Sequence, residues 1–119
     1  MYIVAMATRL KRKVFLSGNI RADISNMVRI AADENGCVVK ELMFRDYGIA
    51  VLLECEDRRA AEQVVRSIRY STSGTIRRRY PELWGMPSFW TRKTLILETD
   101  GWKDSMEEID RFYASLKSR

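Results

Sequence analysis

The chain has 119 residues, 46% of them hydrophobic and 31% charged, with a formal net charge of +5 and no histidine. That length suits one domain with a real core and is too short for two, and the composition excludes a disordered chain. Without imidazole, Ser-His-Asp and Cys-His nucleophile activation, histidine-ligated zinc or iron and imidazole acid–base chemistry are all excluded, while the positive charge favours a polyanionic partner.

In chain order, "MYIVAMAT" reads as a first strand over residues 2–8. Its apolar run is too short for a signal-peptide core, and the basic cluster follows it instead of preceding it. No run approaches the roughly 18 apolar residues of a membrane span. Both points lead to the expectation of a cytoplasmic protein with no membrane partner. "RLKRK" at 9–13 is a basic turn, and "VFLSGN" is expected to hold a short extended piece before a helix capped by Asn19. In that helix Ile20, Ile24, Met27, Val28 and Ala31 form one apolar stripe, and Gly36 follows as a left-handed C-cap.

"CVVKELMF" and "GIAVLLEC" read as two strands of a hairpin, joined by a tight turn around Arg45–Gly48. Cys37 and Cys55 fall in these segments and read as buried thiols, not a disulfide. Asp57 caps a second helix whose inner face is Ala61, Val64, Val65 and Ile68; the pattern can continue through Thr72 and Ile76, but "STSG" at 71–74 weakens it and favours a break. "YPELWGMP" is a loop and "SFWTRKTLILET" a fourth strand, ended by "DG" at 100–101. The last helix opens on a predicted capping box, Ser105 with Glu108, and turns Met106, Ile109, Phe112, Tyr113 and Leu116 inward. The order β-α-β-β-α-β-α predicts an α+β fold in one domain over 1–119. It is a ferredoxin-like split βαβ sandwich, an antiparallel sheet with helices on one face plus a C-terminal helix.

The positive charge is clumped. Arg9, Lys11, Arg12 and Lys13 crowd one turn, and Arg58, Arg59, Arg66, Arg69, Arg77, Arg78 and Arg79 decorate the second helix and the segment after it. Tyr70, Ser71, Thr72, Ser73 and Tyr80 are interleaved with them. Arginine, hydroxyls and aromatics together suit phosphate contact and base stacking, although a solvated helix face would carry the same charges. No Gly-rich phosphate loop accompanies them. On the third strand Gly48 and Ala50, two apart, leave one face nearly bare.

Four blocks in this order resemble the single-tyrosine HUH transposases of small insertion sequences, the insertion-sequence-200-like transposases. They are "YIVAMATRLKRKVFLSG", "GCVVKELMFRDYGIAVLLE", "VVRSIRYSTSGTIRRRYPELWG" and "MPSFWTRKTLILETDG", and they cover nearly the whole chain. Such enzymes cut single-stranded DNA beside hairpins. Two histidines on the third strand and a glutamine on the last helix hold a divalent ion, and a tyrosine one turn before the glutamine attacks the phosphate. Carried onto this chain, the histidine positions fall on Gly48 and Ala50, the tyrosine position on Phe112 and the glutamine position on Leu116. The resemblance therefore implies a catalytically degenerate member with no metal and no cofactor.

A shift of one residue would make Tyr113 the nucleophile of a residual nuclease, with Lys117 as its i+4 partner, which cannot ligate a cation. Asp46, Glu41 or Glu54 could offer carboxylates to magnesium instead, but roughly 27 Å of strand rise separates Asp46 from Glu54. The implied partners are single-stranded or hairpin DNA, or RNA, and a second copy of the chain in a homodimer. The competing expectation is a structural or protein-interaction dimer that touches no nucleic acid.

Overall fold

Burial along the first strand sets the architecture. In the computed structural model, which describes residues 1–117, β1 (Tyr2–Thr8) is buried over its whole length after Tyr2. Val4 and Met6 point into one apolar cluster, Ile3, Ala5 and Ala7 into another. A strand buried on both faces belongs in the middle of a sheet covered on both sides. The four strands run antiparallel in the order β2-β3-β1-β4, with β2 at Val38–Arg45, β3 at Gly48–Glu54 and β4 at Trp90–Glu98. This is the expected ferredoxin-like split βαβ order.

The larger cluster lies between the sheet and two helices, α1 (Gly18–Glu34) and α2 (Arg58–Ser71). Ile20, Ile24 and Val28 from α1 meet Val64, Val65 and Ile68 from α2 there. The C-terminal helix of the fold (Met106–Ala114) covers the opposite face with Ile109 and Tyr113.

Local chemistry accounts for the element ends, and several differ from expectation. Ser17, not Asn19, caps α1, its hydroxyl accepting from the Ile20 N–H at 3.3 Å. The preceding Val14–Leu16 is a turn of 3-10 helix, not an extended piece, and it buries Phe15 against Phe44, Phe89 and Trp90. Gly36 takes φ +69° just beyond α1, as a C-cap glycine should. Asp46 and Tyr47 alone close the hairpin, since Arg45 pairs with Gly48.

Asp57 caps α2 by accepting from Ala60 N–H at 2.9 Å. The break predicted at "STSG" is instead a widening. The helix passes through a π-helical stretch, Thr72–Ile76, and continues as α3 (Arg77–Arg79). The Thr72 hydroxyl donates to the Ile68 carbonyl at 2.6 Å, which satisfies both groups inside the helix. Pro81 ends the run, because Tyr80 before it is pushed to extended backbone at φ −118°, ψ 104°. β4 starts at Trp90, two residues later than "SFWTRK" suggests. The terminal helix, α4 (Met106–Ala114), has no capping box. The Ser105 hydroxyl lies 2.6 Å from that of Thr99 and does not bond the helix N–H groups. Cys37 and Cys55, just outside β2 and β3, are free thiols, the first buried and the second half-buried.

Candidate nucleic-acid interface and the closed sheet face

The outward side of α2 is strongly basic. Arg66, Arg69, Tyr70, Ser73, Gly74, Thr75, Arg78 and Arg79 line an open groove of about 1090 Å³. No acidic side chain lines it. Tyr70 is 84% exposed, so its ring is presented to solvent and not packed. The π-helical widening is what brings Arg78 and Arg79 beside Arg66 and Arg69, by inserting an extra residue into the turn between them.

The arginines expected to act together have different fates. Arg66, Arg59 and Arg78 are exposed and make no hydrogen bond or ion pair among the described residues. Arg69 reaches across to β4, donating to the Arg92 carbonyl at 3.2 Å and to the Thr94 hydroxyl at 2.5 Å. Burial there pushes its pKa down. Arg58 donates to the Ile96 carbonyl at 3.1 Å, away from the groove. Arg77 folds inward onto the Met86 carbonyl. Arg79 pairs with Asp23 at 2.9 Å, and the Tyr80 hydroxyl bonds the same carboxylate. The Tyr80 bond, then the Arg79 charge, hold the Asp23 carboxyl below its ordinary range despite some desolvation.

The basic turn stands apart. Leu10 and Lys11 both take φ +55°, the left-handed region that non-glycine residues rarely enter. The Thr8 hydroxyl anchors the turn by donating to the Arg12 carbonyl at 2.6 Å. Lys11 sits 5.5 Å over the Tyr47 ring, and Arg12 and Lys13 edge a smaller groove of about 360 Å³ at the start of α1. Sequence pattern alone misses another basic cluster. Arg92 and Lys93 on β4 gather with Arg9 and Lys117 around a groove of about 640 Å³. Their only sequence signal is an adjacent Arg-Lys pair inside a strand.

The opposite face of the sheet is closed. Gly48 and Ala50 are not bare there, because Tyr113 lies on them. A Cβ at Gly48 would come within 2.7 Å of the Met6 carbonyl oxygen and 2.8 Å of Tyr113 Cε1. Tyr113 is 1% exposed, and its hydroxyl donates to the Ile49 carbonyl at 2.5 Å. Tyr47 meets its ring edge-on at 5.7 Å, and the Arg45 guanidinium, paired with Asp110, caps it at 4.5 Å. Burial pushes the Tyr113 phenol well above its ordinary pKa, against the smaller pull of Arg45. Phe112 packs half-buried at the margin of the same cluster, and Leu116 is buried in it.

These groups do not suit a divalent ion. Gly48, Ala50, Phe112 and Leu116 have no ligating side-chain atom, and the described residues hold no group of three His, Cys, Asp or Glu placed to bind a metal. No described helix is long and apolar enough to cross a membrane.

Known proteins share this architecture. The family described as "Transposase IS200 like" matches residues 1–112. The crystal structure of a protein assigned as a transposase in Deinococcus radiodurans R1 superposes with a TM-score of 0.83. The two are 16% identical, over 99% of this chain and 91% of that one, a likeness of fold. No curated protein matches the chain significantly.

Proposed function

Because the chain belongs to the IS200-like transposase family, we propose that it is a member that grips single-stranded or hairpin DNA without cutting it. The observation that carries this reading is the groove on α2, where Arg66 and Arg78 are exposed beside the solvent-facing ring of Tyr70. Guanidinium groups there would pair with phosphates through paired N–H donors, and the ring would stack on an unpaired base. Such contacts need no metal and no general base.

The absence of cutting is supported by the other face. A phosphoryl attack needs a nucleophile that can lose its proton and reach a phosphate. Tyr113 is buried, its hydroxyl is already donated to a carbonyl, and its phenol is held protonated by desolvation. Phe112 has no hydroxyl at all. Gly48 and Ala50 supply nothing to a metal that would polarise the phosphate. The homodimer belongs to the proposal through the family alone.

Fluorescence anisotropy of a labelled hairpin-bearing single strand, titrated in chelator over a salt series, tests the reading. Binding should weaken by about 0.7 log unit per log unit of salt for each single-strand phosphate contact. Absence of binding at low salt would overturn it in favour of a structural or protein-interaction role. A covalent protein–DNA adduct formed with magnesium or manganese would show instead a surviving nuclease.

A further inference from the structure

We infer that Cys37 and Cys55 form a redox-modifiable pair, which closes to a disulfide on exchange with a low-molecular-weight disulfide and fastens the open end of the β2–β3 hairpin. The site is independent of the α2 groove and of any nucleic acid.

Strand register brings the two thiols together. The last ladder pair at that end is Val38 with Glu54, so one further step sets Cys37 opposite Cys55. The Cys37 N–H turns back to the Ala32 carbonyl at 2.8 Å instead of bonding across the hairpin, which marks the closer, non-hydrogen-bonded kind of pair. Cα atoms in such pairs lie about 4.5 Å apart, within the span of about 4.4–6.8 Å that a disulfide bridges. Both side chains also share a face. Leu53 and, two residues on, Cys55 pack on the cluster beneath α1 and α2, and so do Cys37 and Val39. Burial, then the neighbouring Cys37 thiol, push the Cys55 thiol up to about 12.

Unequal exposure sets the order of the chemistry. Cys37 is 2% exposed and donates to the Asn35 carbonyl at 3.6 Å, whereas Cys55 is half-buried and within reach of a small reagent. The Cys55 thiolate therefore attacks one sulfur of the small disulfide, displacing one small thiolate and leaving a mixed disulfide. Cys37 then loses its proton, attacks Cys55 Sγ and expels the second small thiolate. The two protein thiols give up two electrons and two protons, and the small disulfide becomes two thiols. So little Cys55 thiolate exists at neutral pH that exchange is slow there and quickens as pH rises.

The bond would fall where the sheet is least secured. β2 is an edge strand, bulged between Val39 and Glu41, with Val38, Lys40 and Glu41 exposed. Its far end is joined to β3 by the Asp46–Tyr47 turn, while this end is held to β3 by the ladder and by packing. Closure would also tie the residue after Gly36 to one standing two before the Asp57 cap of α2. Sustained oxidation is thereby recorded as a more stable hairpin.

Wild-type protein equilibrated with glutathione disulfide against reduced glutathione, at about pH 7 and about pH 9, tests the pair by intact mass, non-reducing electrophoresis and peptide mapping. The expected product is a monomer that has lost two hydrogens, with Cys37 joined to Cys55, formed faster at the higher pH. Its Tm should exceed that of the reduced protein by roughly 5–15 °C. Cys37→Ser should stop at a glutathione adduct on Cys55, and a variant that takes up none would overturn the order of attack. Unchanged thiols at both pH values, a wild type that stops at the mixed disulfide, or a bond between two chains would overturn the pair. A lower Tm on closure would mean that the bond strains the hairpin, and the fastening role would fall.

Discussion

The two faces of this sheet use their polar groups in opposite ways. Under α4, small residues (Ala5, Ala7, Gly48 and Ala50) let the helix come close enough for Tyr113 to reach a backbone carbonyl. The Tyr113 hydroxyl and the Arg45 guanidinium are both engaged within the protein, by Ile49 and by Asp110. On the outside of α2, Arg66 and Arg78 keep their donors for solvent. A face whose donors are consumed is built for packing, and one whose donors are left free is ready to bind. The two faces are therefore separable in this chain, and each can be attacked alone.

The largest effect should come from opening the closed face. Tyr113→Ala removes a ring 1% exposed, with its hydrogen bond, and should cost about 3–5 kcal/mol in urea denaturation. A cost below about 1 kcal/mol would mean that α4 does not hold the sheet as described. Next comes an attempt to install ligands with Gly48→His and Ala50→His. The Cβ of the first histidine would sit 2.7 Å from the Met6 backbone oxygen, which cannot swing aside as a side chain could. Overpacking of that sort costs about 1–3 kcal/mol or more. Thermal shift with manganese should reveal no stabilisation by metal. A manganese-dependent rise in Tm would show that the face can still open into a site, and the contrast between the two faces would fail.

Much of this was legible because it is local. The continuous apolar runs "YIVAMAT" and "GIAVLLE", the cap at Asp57 and the glycine after α1 depend on residues within a turn of one another, and each lies where expected. Where two local choices competed, tertiary packing decided. Ser17 and Asn19 are both good caps, and burial of Phe15 among three aromatic rings selected the earlier start. Thr72 looked like a helix breaker, but its hydroxyl turned back to Ile68, so the helix widened instead of ending.

That Tyr113 turns inward was legible from the last helix, but that it lands on Gly48 was not. Alternation assigns a strand residue to a face, but the ring that fills this one arrives from the terminal helix, 64 residues beyond its acceptor Ile49. The arginines were blurred for the same reason. Helical spacing groups Arg58, Arg59, Arg66 and Arg69, while the strand carbonyls that occupy Arg58 and Arg69 are invisible to it.

A middle-sized effect would sharpen the contrast from the binding side. Arg66→Gln with Arg78→Gln should leave stability within about 0.5 kcal/mol, since both side chains are exposed. Its single-strand salt slope should be shallower by about 1.4. An unchanged slope would mean that these two cations meet no phosphate, and the groove would lose its claim to be the grip.

The smallest prediction uses the cation that the groove keeps in reserve. Arg79 lines the groove but is held by Asp23, together with Tyr80. Because the folded Asp23 carboxyl titrates below its unfolded value, its contribution to stability is present above the unfolded pKa, near 3.9, and is lost as pH falls through the folded one. Asp23→Asn should therefore flatten stability against pH below about 4 relative to the wild type. At neutral pH it removes the charge that competes with phosphate for Arg79. The variant should bind single strands slightly more tightly, with a salt slope steeper by up to about 0.7. If it binds more weakly instead, then Asp23 is aiming Arg79 at the strand, and the pair belongs to the grip as a unit.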